Sequence, residues 1–133
     1  LCHIEDAPTT STSNYCDETY TKQYPCNANK AYYGRGPLRM TWNFNYGPAG
    51  KSIGFDGLNS PETVSSDAVI SFKTALWYWI VNAREDFLAG KGFGATIRAL
   101  KGESECDGAD REAVAARAKL YVDYCRRLRV DPG

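Results

Sequence analysis

Apolar side chains recur at helical spacing over most of the second half of the chain. The clearest case runs from Asp67 to Asn82, where Ile70, Thr74, Trp77, Tyr78 and Val81 follow one another at steps of three and four residues. Asp67 is a suitable N-cap for this helix. Ala75, Leu76, Trp79 and Ile80 widen its apolar surface, so it is expected to be largely buried. A second helix follows Gly92–Gly94, passes through Ile97 and Leu100 and stops at Gly102. The last begins near Asp110 and carries Val114, Ala118, Tyr121, Val122, Cys125 and Leu128 on one face. Arg126, Arg127 and Arg129 crowd its end, where the helix dipole favours positive charge.

The first half is less regular. From Leu38 to Ile53 the residues Met40, Trp42, Phe44 and Tyr46 alternate as in a strand, but the length suits a helix, and a helix is expected. Gly47-Pro48, Gly50, Gly54 and Gly57 mark turns, and Asn59-Ser60-Pro61-Glu62 opens a short helical stretch. Residues 5 to 31 are polar and show no period. No convincing set of paired strands is present, which predicts a mainly α fold with long disulfide-held loops.

The 133 residues suffice for one domain. Lys plus Arg and Asp plus Glu number 16 each, so no overall field draws the chain to nucleic acid or an anionic membrane. The longest uninterrupted apolar stretch, Ala75 to Val81, is far short of the roughly 20 residues a membrane-spanning helix needs. The start, Leu1-Cys2-His3-Ile4, has neither a basic nor an apolar leader region and suggests a mature or internally cut piece. Five cysteines without C-x-x-C spacing, beside a single His, argue against zinc and for disulfides, hence secretion. Cys16 and Cys26 bracket a polar loop and form the most plausible local pair, worth roughly 2–3 kcal/mol in the chain-entropy model. The odd count leaves a thiol over, and Cys125, on the apolar side of the last helix, fits either a buried free thiol or a bonded one.

With its one His at position 3, a Ser-His-Asp or Cys-His set would have to be built at the terminus. Gly34-Arg35-Gly36 lacks the third Gly and the preceding strand of a phosphate loop. Carboxylates beside aromatics remain, the equipment of a glycosidase, which needs one acid for the leaving oxygen and a base or nucleophile for the sugar carbon. Glu5, Asp6, Glu103 and Glu105 are the candidates, although each alone reads more simply as a solvated charge. Tyr33, Trp42, Trp77 and Trp79 have apolar neighbours and are expected in the core rather than as sugar platforms.

Longer runs are more specific. Tyr32-Tyr33-Gly34-Arg35-Gly36-Pro37-Leu38 followed by Trp42-Asn43-Phe44-Asn45-Tyr46-Gly47 resembles the signature of plant glycoside hydrolase family 19 chitinases. Ser71-Phe72-Lys73-Thr74-Ala75-Leu76-Trp77-Tyr78-Trp79 is similar to that family's central helix, and Gly92–Arg98 with Glu105-Cys106 resembles its class IV branch. The resemblance covers essentially the whole chain. It implies a lysozyme-like, two-lobed helical fold that acts on β-1,4-linked N-acetylglucosamine polymers with inversion and without metal or organic cofactor.

On the same resemblance, the general acid lies in an H-E-T-G-H segment ahead of Leu1-Cys2-His3-Ile4-Glu5-Asp6, and the base position falls on Asp6 where the family has Glu. The chain is then an incomplete catalytic domain, 1–133, without the acid segment or a C-terminal tail. Glu5 is the neighbouring carboxylate and is expected to point elsewhere; Thr41 is placed to hold the attacking water. Asn45 and Lys73 match substrate-binding positions, and Glu105 and Arg117 match the charge network around the acid. Arg39 stands for Gln, Phe44 for Tyr and Lys101 for Asn, and Tyr33 completes the substrate-side candidates. Cys2 and Cys106 are implied to pair with cysteines outside these residues. The implied protein is a secreted or vacuolar plant defence monomer whose partner is chitin or its oligosaccharides. The alternative is a chitin-oligosaccharide binder impaired by the changes at 6, 39, 44 and 101.

Overall fold

The computed structural model describes residues 4–6 and 14–133. Cys2 and His3 lie outside the described residues, as does the Ser/Thr tract of residues 7–13. Among the described residues six α-helices follow one another: α1 Asn43–Ile53, α2 Thr63–Ser66, α3 Ala68–Asn82, α4 Arg84–Leu88, α5 Phe93–Glu105 and α6 Arg111–Leu128. Among the described residues there are no strands, only the isolated bridges Glu5–Arg35 and Arg35–Met40. The chain groups into two compact units, Leu1–Tyr78 and Trp79–Gly133.

In the first unit, the Cys16–Cys26 disulfide closes the loop that the spacing suggested. Asn43, fully buried at the start of α1, fastens that loop: its Oδ1 accepts from Asp17 N at 2.8 Å and its Nδ2 donates to Tyr24 O at 3.0 Å. A second, longer bond from Nδ2 reaches Asp17 O at 3.3 Å. The core is Tyr32, Met40, Tyr46, Ala49 and Val64, with Ile53, Phe55, Leu58, Ile70 and Trp77 packed against it. Tyr32 also satisfies its hydroxyl, which donates to Leu58 O at 2.9 Å and accepts from Asn27 N at 2.9 Å.

Helix α1 begins at Asn43, not at Leu38, because Arg39 and Trp42 adopt positive φ of 53° and 77°, where a right-handed helix cannot run. Trp42 is itself more exposed than expected, at 37%, and stacks on Phe44 with 9° between the ring planes. Helix α3 starts where the cap pattern places it, with the Asp67 carboxylate accepting from Val69 N and Ile70 N. Its burial is narrower than expected. Ser71 and Thr74 are the buried residues of α3, whereas Phe72, Leu76 and Ile80 are each more than half exposed. Ser71 and Thr74 face the Gly36 turn and Ile70, Trp77 and Tyr78 pack on the core, so the periodic stripe faces inward through Tyr78 and the surface that widens it is left outside.

The second unit is built from neighbours in sequence, α4 on α5 and α5 on α6. Phe93 and Tyr121 stack with centroids 4.2 Å apart, Trp79 meets Phe87 edge-on, and Ala83 and Ile97 are buried. Helix α5 loses regular geometry at Lys101 (φ −142°), one residue before its expected stop at Gly102. Asp110 caps α6 by accepting from Ala113 N, as its position predicts. The apolar face of α6 is covered in part: Cys125 is a buried free thiol, but Leu128 is 72% exposed. Helix α4 carries no signal in the hydrophobic pattern.

Candidate active site

Residues 4–6 run beside the turn 34–40, and this juxtaposition organises the site. Asp6 N donates to Gly34 O at 2.8 Å, Gly36 N to Ile4 O at 2.7 Å, and Met40 N to Arg35 O at 3.0 Å. Extended backbone sends successive side chains to opposite faces, so Glu5 and Asp6 part company. The Glu5 carboxylate accepts from Ser65 Oγ at 2.9 Å and lies 3.6 Å from Arg35 Nε. Asp6 turns to the other side and pairs with Arg39, whose Nη1 donates to Asp6 Oδ1.

Gly34 makes room for this arrangement, since a Cβ there would collide with Asp6 Oδ2. Gly34→Ala is therefore expected to displace the Asp6 carboxylate and break its pair with Arg39 without unfolding the chain. A carbon-13 spectrum of labelled Asp carboxyls checks this; an unmoved Asp6 signal would show that the carboxylate does not lie over Gly34.

Thr41 and Asn45 complete the cluster. Thr41 Oγ1 donates to Arg39 O at 2.9 Å, and Asn45 Nδ2, from the first turn of α1, donates to Thr41 O at 2.8 Å. Phe44 lies between Trp42 and Tyr20, with centroids 6.1 and 4.8 Å away, so it belongs to an aromatic strip beside these polar groups. Tyr33 stands apart from that strip: its ring lies beneath the Arg35 guanidinium, 3.7 Å from its carbon. Lys73 is exposed on α3.

Arg35 is the residue sequence reasoning missed. It is 4% exposed and donates through Nη1 to Ala31 O at 2.9 Å and to Tyr46 Oη at 3.1 Å. Its Nε is buried without a hydrogen-bond partner, facing Glu5. Burial works against the guanidinium charge, but the flanking Tyr46 and Tyr33 leave its pKa raised. Burial also pushes the Tyr46 hydroxyl well above the ordinary tyrosine range, against the opposing pull of Arg35. Tyr46 thus stays protonated and donates to Tyr33 O at 2.8 Å. An Arg between two glycines gives no sign of such burial, because its partners are assembled by the turn.

In the second unit, Glu105 is 8% exposed and receives a fork from Arg117, Nε to Oε2 at 2.6 Å and Nη2 to Oε1 at 2.7 Å. The hydrogen bond to Glu105 raises the Arg117 pKa, with burial opposing. Lys101 sits at the α5 kink of the same unit. Cys106 is a free thiol. Among the described residues no three His, Cys, Asp or Glu side chains converge as a metal site needs, and no helix is long and apolar enough to cross a membrane.

Geometry of this kind has relatives. The glycoside hydrolase family 19 profile, described as chitinase class I, matches residues 1–88. Endochitinase EP3 of Arabidopsis thaliana is 62% identical over all 133 residues, which cover 47% of its own length. Chitinase 6 of Oryza sativa subsp. japonica is 56% identical, again over the whole chain and 48% of its own. The crystal structure of the family GH19, class IV chitinase from Zea mays superposes with a TM-score of 0.88 at 50% identity, over 99% of this chain and 62% of that one. The chain thus spans about half the length of the relatives it matches in sequence. A profile match over residues 1–88, full-length identity above half and a shared helical fold agree with one another: the chain belongs to glycoside hydrolase family 19, the chitinases.

Proposed function

We propose that this chain carries the base side of an inverting chitinase acting on β-1,4-linked N-acetylglucosamine polymers. The observation that carries the reading is the gathering of Asp6, Thr41 and Asn45 about the turn 34–40, in a chain so close to named endochitinases. Asp6 takes a proton from water held by the Thr41 hydroxyl. The water oxygen then bonds to the anomeric carbon as the glycosidic bond breaks, and the departing oxygen receives its proton from an acid. That acid belongs to the H-E-T-G-H type of segment which the family resemblance places ahead of residues 1–6. In inverting enzymes the two carboxyls stand about 6.5–9.5 Å apart, which leaves space for the water. Asn45, Lys73 and the Phe44 strip serve the sugar chain, and the Glu105–Arg117 pair orders the charge around the acid. Secretion, a monomeric state and a role in plant defence complete the proposal; the Cys16–Cys26 disulfide supports an oxidising compartment.

One observation favours a second reading, binding without turnover: the base candidate is engaged by Arg39. A proton NMR time course of the protein that includes the acid segment, with soluble N-acetylglucosamine hexamer, separates the two. Inverting hydrolysis of a β-linkage releases the α-anomer first, and that is the expected result. Ligand broadening without product would establish the binder. Neither signal would sink the chitin reading altogether.

A further inference from the structure

Resting on the assignment of Asp6 as base, we propose that Arg39 is a latch on that base, a positioning residue rather than a sugar ligand. One oxygen of the Asp6 carboxylate is engaged by a cation in this structure, and the other lies over Gly34. Oδ1 receives the Arg39 guanidinium, and Oδ2 lies in the space that a Cβ on Gly34 would take. While the pair is closed Oδ1 is turned to Arg39, and a water on Thr41 must compete with the guanidinium for it.

The backbone is shaped to hold the pair closed. Arg39 has φ +53°, a left-handed conformation that L-residues rarely adopt. It is fixed there by Arg39 N donating to Gly36 O at 3.1 Å and by the Thr41 hydroxyl on Arg39 O. Glu5 cannot substitute for the latched carboxylate, because Ser65 and Arg35 hold it on the other face. The pair is also reversible. Its side chains are 29% and 50% exposed, so dissolved salt screens it and opening costs little.

The latch acts on the rate and leaves saccharide affinity alone, which distinguishes it from a sugar contact. In the hexamer assay the wild-type rate is expected to rise about two- to fivefold between about 20 and about 500 mM NaCl. Arg39→Gln keeps the left-handed backbone but removes the charge; its rate should start at the high-salt level and stay flat. Hexamer affinity, from NMR titration, should differ less than about twofold between the two proteins. Weaker hexamer binding by Arg39→Gln without a gain in rate would overturn the proposal and make Arg39 a sugar ligand.

If no protein releases product, the base assignment fails and the latch is judged by a carbon-13 spectrum of the Asp6 carboxyl. A signal that moves with salt in the wild type and not in Arg39→Gln keeps the ion pair; a salt-independent signal in both overturns it. Should Arg39→Gln not fold, Gly34→Ala opens the pair from below and is expected to give the same loss of salt response.

Discussion

Arg35→Ala is expected to lower the urea midpoint by about 2 M, an effect on the order of 3–5 kcal/mol at an ordinary urea slope. The loss has three sources. The guanidinium's bonds to Ala31 O and Tyr46 Oη disappear, its stacking on Tyr33 goes, and a void replaces a side chain that is 4% exposed. Against a total stability of about 5–15 kcal/mol for a domain, this change alone threatens the fold. Arg35→Lys should recover less than half of the loss, since an ammonium does not stack flat on Tyr33 and presents no second nitrogen to Glu5 as Nε does. A midpoint shift of a few tenths molar for Arg35→Ala would mean that the buried guanidinium network does not exist in solution.

Asn43→Ala is expected to cost about 2–4 kcal/mol, because it orphans Asp17 N and Tyr24 O at a site with no exposure. Asn43→Asp tests the direction of the bonds. A carboxylate keeps the acceptor for Asp17 N but turns its second oxygen toward the carbonyls that Nδ2 now serves. At neutral pH the Asn43→Asp protein should therefore be no more stable than Asn43→Ala. Those carbonyls raise the folded pKa of the introduced carboxyl, which becomes a donor as the pH falls through that value, so the stability gap to wild type should narrow toward pH 4. Urea melts of both variants at pH 7 and pH 4 measure this; an Asn43→Asp protein as stable as wild type at pH 7 would refute the network.

The sequence revealed what local chemistry decides. Asp67 and Asp110 were legible as caps because a carboxylate accepts from amides two or three residues ahead, whatever the rest of the fold does. The Cys16–Cys26 pair was legible for the same reason of proximity. The start of α1 was not, since Arg39 and Trp42 take left-handed backbone at residues that do not advertise it. Periodicity located the face of α3 that packs on the core, but it does not say how far round the helix the cover extends, and Leu76 and Ile80 stay exposed. Of the candidate site, the motif resemblance named Asp6, Thr41 and Asn45. The pairing of Asp6 with Arg39, 33 residues away, depends on a turn and a bridge that no spacing rule encodes.

The Cys16–Cys26 loop bears on the order in which this chain folds. Asn43 must capture Asp17, 26 residues back along the chain, and Tyr24, 19 back, before either bond rewards the closure. In the reduced chain Asp17 and Tyr24 travel together, seven residues apart, but on a segment free to straighten. With the disulfide formed, Asp17 and Tyr24 are delivered on one tethered segment, and finding the first places the second nearby. Oxidation before docking thus narrows the conformations that this segment has to search, and does so at the pace of thiol chemistry.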